Sequence, residues 1–505
     1  MKRTILISIL ILVIISPVYT GNTPIKPVKS LQLSQSRDYV TQYNQTEGKD
    51  LWDLTTINDT VYITEYNTNH LWQYNTQTDN LSSIDFAPDI TPLFVNRGED
   101  NTSLWILDYD YTPQEEPLDH VLRYDIETGN VTMFDLPPQA HAVNFGVSNG
   151  YAIVTLLNQD AVILINTETY NMTRLDIPCD DYCGPAGADF DQDGNLWITE
   201  TLSDRFVKYS FETGSYTFYA GVPNFESPTY LRFDKDNTFW TGEHAGDKIA
   251  NVNITDMSYE VYASPKPNKG QYPTSGVNDI EFIPNGDVWF AEHFINRVGR
   301  LHRDSGTVME YIFPRKQPLV ALIHADQNKL WYAETYGYFS YFDLNEVPTV
   351  EITPITTQQL TDSPTLPLNL TVKYDSGITD SLSFSVFGEV KLWNAFGVSA
   401  PQTTYSLDTG QQTTIPVTIG INGRADAGNY TFVLGIKTET FTASQQFTLI
   451  VTQDWDNSVA GSSSPFTNLH WYDLGYLVIA LLVILNLYIY RKSIAKLLKK
   501  ITQDE

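Results

Sequence analysis

The sequence predicts an all-β protein: a seven-bladed β-propeller over residues 38–347, an Ig-like β-sandwich over 348–452 and a single C-terminal transmembrane helix over 474–490. Three observations predict it. A short phrase recurs seven times along the first two thirds of the chain, Thr- and Ser-rich alternation follows it, and an apolar run stands near the end.

The phrase is an aromatic residue, two mostly β-forming residues and then, in most copies, an acid. It occurs at Tyr62 to Glu65, Trp105 to Asp108, Trp197 to Glu200, Trp240 to Glu243, Trp289 to Glu292 and Trp331 to Glu334, with a degenerate copy at Ala152 to Thr155. Successive first positions are separated by 43, 47, 45, 43, 49 and 42 residues, the period of a four-stranded blade. Alternating β-branched and aromatic residues between Asp-Gly, Asn-Gly and Thr-Gly turns are the marks of antiparallel hairpins. Seven such units close a ring and leave few exposed strand edges. Tyr39 to Tyr43 has the pattern of an outer strand and is expected to complete the last blade, with Val350 to Pro354 as the rival for that place.

From about Pro348 the phrase stops. Runs at Leu368 to Lys373, Leu382 to Phe387, Thr414 to Ile419, Tyr430 to Ile436 and Phe447 to Val451 predict the sandwich, of about 100 residues. It reads most simply as a stalk. Residues 453–473 form a linker, with Ser462-Ser463-Ser464-Pro465 inside it. Leu474 to Tyr490 is long enough to cross a hydrocarbon layer, and the basic tail 491–505 follows it, carrying Arg491, Lys492, Lys496, Lys499 and Lys500. Positive charge beside a span stays cytoplasmic, which places the preceding chain outside the cell membrane. At the other end, Lys2 and Arg3 before the apolar run Ile5 to Ile15 read as a signal peptide over residues 1–20, with an uncleaved anchor as the alternative.

The formal net charge of −29 falls on the outer part. Such a surface repels phosphate, so nucleic acid is excluded as a partner. An extracellular ligand, a glycan or an envelope protein is expected instead. The two cysteines, Cys179 and Cys183, are expected to form a local disulfide in an oxidising exterior. Nine Asn-x-Ser/Thr acceptors, from Asn44 to Asn429, make the outer part a candidate glycoprotein.

Chemistry is expected at one mouth of the propeller channel. The acids closing the phrases, Glu65, Asp108, Glu200, Glu243, Glu292 and Glu334, would form a ring able to hold a divalent cation, Mg2+ or Ca2+, through oxygen ligands. His244 and His293 stand directly beside two of them. The competing reading is structural: Arg205, Lys248 and Arg297 each lie five residues after Glu200, Glu243 and Glu292, and buried carboxylates are normally paired.

The phrases Leu196-Trp197-Ile198-Thr199-Glu200 and Val288-Trp289-Phe290-Ala291-Glu292, the latter followed by Asn296-Arg297-Val298-Gly299-Arg300-Leu301, resemble the virginiamycin B lyase (streptogramin lyase) family over about residues 38 to 345. The resemblance implies a seven-bladed propeller and, for active members, elimination at the ester of a cyclic depsipeptide with Mg2+ and a general-base histidine. The family's histidines stand eleven residues before the phrase aromatic in the last two blades, with a metal-binding glutamate two residues before the second. The matching places in this chain are, in blade order, Leu51, Phe94, His141, Ala186, Thr229, Asn278 and Val320, and the glutamate's place holds Pro318. Neither Asn278 nor Val320 can take a proton near neutral pH. Gly276-Val277-Asn278-Asp279 also resembles an inner strand of the gluconolactonase (regucalcin-like) propellers. That resemblance implies a metal-assisted site combining Asn278, Glu292 and His293 with His141. Three functions follow as expectations: a binding ectodomain using Asn278, Glu292, Glu334, Glu243, His244 and Glu65 at its mouth; a metal-dependent lyase or lactonase-type hydrolase using His141 or His293; and a structural cell-envelope component.

Overall fold

The computed structural model describes residues 39–456, apart from the internal stretches 110–118, 266–273, 314–319, 377–380 and 391–395 and a few isolated positions in turns. The predicted signal peptide, membrane span, basic tail and most of the linker lie outside the described residues, as does Pro318. Among the described residues no helix is long and apolar enough to cross a membrane.

Seven antiparallel four-stranded units follow one another along residues 40–343. Their innermost strands are Leu51–Ile57, Pro92–Arg97, Ala142–Ser148, Pro185–Phe190, Pro228–Phe233, Val277–Phe282 and Ile323–Asp326, and each touches the next until the last meets the first. This is a closed propeller. The recurring phrase lies on the second strand of every blade, and its degenerate copy lies on Tyr151–Leu156. Trp105, Trp197, Trp240, Trp289 and Trp331 occupy one register, opposite Asn96, Asp189, Arg232, Glu281 and His324 of the innermost strands. All five are buried, and removing such a ring from water stabilises the fold by roughly 3 kcal/mol. The phrase is therefore the packing wedge of each blade.

Apolar wedges alone do not fix how blades stack, and polar contacts define each of the seven junctions. From blade 1 to blade 2, Val95 N donates to Asp53 Oδ2 at 2.8 Å. Asn96 Nδ2 donates to the Phe145 carbonyl at 3.2 Å, Ser148 Oγ to Asp189 Oδ1 at 2.8 Å, and Phe233 N to Asp189 Oδ2 at 3.0 Å. Arg232 pairs with Glu281 at 3.6 Å, Ile323 N donates to Asp279 Oδ2 at 3.0 Å, and His324 Nε2 meets Thr56 Oγ1 at 3.2 Å. The circle ends where it began.

The chain is latched by its own start. Val40–Tyr43 pairs antiparallel with Tyr338–Asp343 as the outermost strand of blade 7. Tyr43 stacks on Phe339 at 4.9 Å and Tyr39 on Phe342 at 6.0 Å. The rival segment goes elsewhere: Thr349–Ile352 pairs with Thr365–Asp375 in the C-terminal region.

That region is two sheets around a shared apolar core that includes Leu370, Phe384, Ile415, Phe432 and Leu449. One sheet runs through Thr349–Ile352, Thr365–Asp375, Gln412–Ile421 and Phe396–Ser399; the other through Phe441–Val451, Gly428–Lys437, Ser381–Val390 and Tyr405–Asp408. The five runs read from sequence are segments of its longest strands. Its attachment is closer than a stalk. Phe441–Val451 pairs with Thr307–Ile312, the outermost strand of blade 6, so one sheet continues from the channel wall into this region. Gln446 reaches blade 5, accepting from Ala263 N at 3.0 Å and donating to the Val261 carbonyl at 2.7 Å.

Asp189 carries two consecutive blade junctions and also accepts Phe190 N at 2.8 Å. Asp189→Ala strands two backbone N–H groups, so a loss of about 2–4 kcal/mol is expected in urea denaturation of the purified protein. A loss below about 0.5 kcal/mol would show that this junction is dispensable.

Candidate functional site

Two local features shape the channel mouth. The first is a register shift at the start of the innermost strand in six blades, at Leu51/Leu54, Pro92/Phe94, Ala142/Asn144, Pro185/Gly187, Thr229/Leu231 and Val277/Asp279. A bulge adds a residue and re-aims a side chain. Trp52, Val143, Ala186, Tyr230 and Asn278 stand at these bulges, and all five line a cavity of about 70 Å3. The second feature is strand alternation, which sends successive side chains to opposite sides. The residues directly after the second strand complete the lining in blades 3 to 6: Leu157, Thr201, His244 and His293.

The same alternation turns the acids away. All six are buried, and none lines this cavity. Glu65 accepts from Trp72 Nε1 at 2.8 Å and pairs with Lys49 at 3.4 Å; Asp108 accepts from Thr91 N at 2.6 Å and meets His120 at 2.8 Å. Glu200 takes Arg205 and Ser203, each at 2.6 Å, and Glu243 takes Lys248 at 3.1 Å with Glu226 N at 2.8 Å. Glu334 accepts from Gln42 Nε2 of the latch strand at 3.2 Å. Five of the acids are thus separate clamps, each tied to its own blade's loops or, for Glu334, to the latch strand, and none of the six lines the cavity.

Blade 6 departs from the expected pairing. Arg297 pairs with Glu310, which also accepts from Thr442 Oγ1 at 2.7 Å across the seam to the C-terminal region. Glu292 instead accepts from Ser264 Oγ at 3.0 Å, and its Oε2 is buried without a partner. Burial, and then the neighbouring Glu310 charge, hold its carboxyl well above the usual range.

His244 and His293 face the cavity as a stacked pair, ring centroids 6.5 Å apart, with Phe294 against both at 5.0 and 5.1 Å. Gly276 permits this: its φ is +65°, and a Cβ there would lie 2.2 Å from the Phe294 ring. Burial pushes the His244 pKa down to about 3 and that of His293 to about 4, so both rings are neutral at physiological pH. Hydrogen bonding to the Val320 backbone acts in the opposite, raising direction on His293, whose Nδ1 is buried without a hydrogen-bond partner. Trp52 meets His293 edge-on at 6.3 Å.

Of the remaining sequence candidates, Asn278 lines the cavity, Val320 is fully buried, and His141 lies outside the lining. His141 is exposed at φ 45°, its Nδ1 3.1 Å from Tyr109 Oη. Cys179 and Cys183 are disulfide-bonded with Cα atoms 6.3 Å apart. Together with Asp160 they group closely enough to hold a metal, but the disulfide occupies both sulfurs. A hard divalent cation needs several oxygen ligands. Among the described residues the cavity lining offers no carboxylate, and its side-chain oxygens are those of Asn278, Thr201, Thr229 and Tyr230. Sequence reasoning missed Trp52 and Tyr230. The available signal was position: each stands ten residues before its phrase aromatic, one after the inner-strand places already compared.

A closed β-propeller whose mouth holds a small, largely apolar cavity, uncharged among the described residues, is the class that fold and site define. Residues 123–382 match the Virginiamycin B lyase family, and the chain belongs to that family. Its fold resembles the crystal structure of selenomethionine-substituted virginiamycin B lyase from Staphylococcus aureus, with 20% identity, a TM-score of 0.51, and coverage of 60% of this chain and 98% of that one. A streptogramin B lyase structure gives 20% identity, a TM-score of 0.51, and 60% and 97% coverage. A catalytically inactive virginiamycin B lyase from Staphylococcus aureus with quinupristin gives 19%, 0.51, 60% and 98%. At these identities the likeness shows the fold alone. No curated protein matches the chain.

The two buried histidines generate a pH prediction. Their folded pKa values lie below the unfolded value near 6.5. The unfolded chain therefore takes up protons first as pH falls, and stability present above about pH 6.5 drains away towards pH 4. Glu292 acts oppositely, because its raised folded pKa costs stability as pH rises. The His244→Gln/His293→Gln variant should lose less stability than the parent between pH 7 and pH 5, by roughly 2 kcal/mol per ring. Equal slopes in denaturant titrations would contradict neutral buried imidazoles.

Proposed function

We propose that the protein is an extracytoplasmic, membrane-anchored binding member of the virginiamycin B lyase family, which takes a neutral ring-bearing ligand at the propeller mouth and does not carry out the family's elimination. The observation that carries the reading is the mouth itself. Trp52, Phe94 and Tyr230 supply apolar rings, Asn278 supplies an amide, and His244 and His293 are neutral. The two places where the family resemblance calls for histidines hold Asn278 and Val320. Anchoring rests on the apolar run Leu474 to Tyr490 and the basic residues after it. The closely attached C-terminal region would hold the propeller in one orientation above the membrane and would serve equally if the outer part engages a glycan or envelope protein.

One observation favours a second reading, a lyase or lactonase-type hydrolase: His293 and Asn278 line the same cavity. A base with a pKa of about 4 is poorly matched to removing a carbon-bound proton at neutral pH.

The test uses quinupristin, which is held by a structure of the same fold. The full chain in detergent is incubated with quinupristin and Mg2+, and mass spectrometry follows the ring-opened product. The expected result is intact quinupristin under conditions in which the Staphylococcus aureus lyase opens it completely. Complete opening by this chain would overturn the reading. Its loss in His141→Ala or His293→Ala would identify the base.

A further inference from the structure

The turn between the third and fourth strands carries one pattern in blades 1 to 3: Thr78-Asp79-Asn80-Leu81-Ser82, Thr128-Gly129-Asn130-Val131-Thr132 and Thr169-Tyr170-Asn171-Met172-Thr173. Each contains an Asn-x-Ser/Thr acceptor. The usual reasons for an asparagine in a turn are its tolerance of left-handed backbone and its hydrogen bond to the turn itself. Neither applies to these three. The left-handed residue is the one before, Asp79 at φ 54°, Gly129 at 71° and Tyr170 at 61°. The turn is tied by an earlier side chain: Thr78 N, Thr128 N and Thr169 N donate to Oδ1 of Asn75, Asp125 and Asn166 at 2.9, 2.9 and 2.7 Å. Ser215 and Ser258 fill the same place in blades 4 and 5, so the hairpin does not require asparagine there. Asn80, Asn130 and Asn171 are exposed.

Strand direction fixes the face on which they lie. Each innermost strand starts at the mouth and the strands of a blade are antiparallel, so its third-to-fourth turn stands at the far end. The neighbours are unusual as well. Val131, Met133, Tyr170 and Met172 flank Asn130 and Asn171, and all four are exposed. A bulky, solubilising sugar chain rooted among them would cover that apolar surface. Other positions lack one part or another of this arrangement. Asn58 and Asn101 take the left-handed turn positions themselves, at φ 53° and 54°, which accounts for them by backbone alone. Asn44 lies on the mouth side, but the hydroxyl of its acceptor is spent: Thr46 is fully buried and its Oγ1 donates to the Gly337 carbonyl at 3.0 Å. In blade 6, next to the C-terminal region, the equivalent place holds Thr307, buried and accepting from Ile352 N at 2.9 Å.

We propose that Asn80, Asn130 and Asn171 are N-glycosylated, which coats the face opposite the mouth and leaves the mouth open to its ligand. The inference rests on the reading of the propeller as extracytoplasmic and adds the modification and its sites. The donor is a lipid-linked saccharide phosphate. The bond from the sugar's C1 to the phosphate oxygen breaks, C1 bonds to the asparagine Nδ2, that nitrogen loses one proton, and the lipid phosphate leaves with the bonding electrons.

The full chain is extracted from the membranes of the cells that make it, digested, and its peptides followed by mass spectrometry. The expected result is sugar mass on the peptides carrying Asn80, Asn130 and Asn171 and none on the peptide carrying Asn44. Asn130→Gln should lose the addition at that site alone. Thr132→Ala keeps the asparagine and should lose it as completely, whereas Thr132→Ser should retain it; an addition that survives Thr132→Ala would overturn the assignment. Sugar on Asn44 would overturn the claim that the coat avoids the mouth. Protease added outside intact cells separates the two remaining failures. Bare Asn80, Asn130 and Asn171 on a propeller that the protease digests overturn the glycosylation and leave the outside placement standing. A propeller protected from the protease overturns the placement and the glycosylation with it.

Discussion

Closure of the ring is the constraint on which the rest of this molecule depends. A propeller blade is a small sheet with one sequence neighbour on each side, and the apolar wedge of each phrase leaves its angle to the next blade undetermined. The polar contacts circling the channel, from Asp53 with Val95 to His324 with Thr56, supply the missing direction. They are buried or half-buried and aimed at backbone groups or single side chains, so a blade that slides or tilts loses them. The latch of Val40–Tyr43 on Tyr338–Asp343 then joins the two ends of the ring, turning seven neighbour contacts into a circle.

The mouth inherits its chemistry from this arrangement. Blade-closing acids are conspicuous in the sequence, yet each is needed to hold a loop at the head of its own blade, as Asp108 holds Thr91 and Glu243 holds Glu226. Alternation gives the channel the next residue, and in blades 3 to 6 those residues are Leu157, Thr201, His244 and His293. Among the described residues the cavity lining is therefore uncharged even though the chain carries a net charge of −29. The acids work inside the blades, where folding needs them.

The blades were legible because the same wedge recurs with the same spacing, and the five tryptophans do occupy one register. The junction contacts were not, since each uses different chemistry: an aspartate, an asparagine, a serine, an arginine with a glutamate, a threonine with a histidine. No periodicity runs through that set. Trp52 and Tyr230 were missed because a bulge, not the strand pattern, brings them to the cavity, and bulges leave little trace in a single sequence. The seam between blade 6 and the C-terminal region had a faint signal. Thr307–Ile312 carries apolar residues on both faces, Met309 and Tyr311 on one and Val308 and Ile312 on the other, whereas the outermost strand Val131–Asp135 of blade 2 alternates with solvent. An outer strand buried on both faces requires a further cover, and Phe441–Val451 supplies it.

The central claim is that the mouth is lined by buried, neutral imidazoles. It is tested most directly by nitrogen chemical shifts of selectively labelled histidine in the full chain, with His293 assigned through the His293→Gln variant. At neutral pH the account predicts a His293 ring carrying a single proton, unchanged down to about pH 5. A His293 ring protonated on both nitrogens at pH 7 would contradict it.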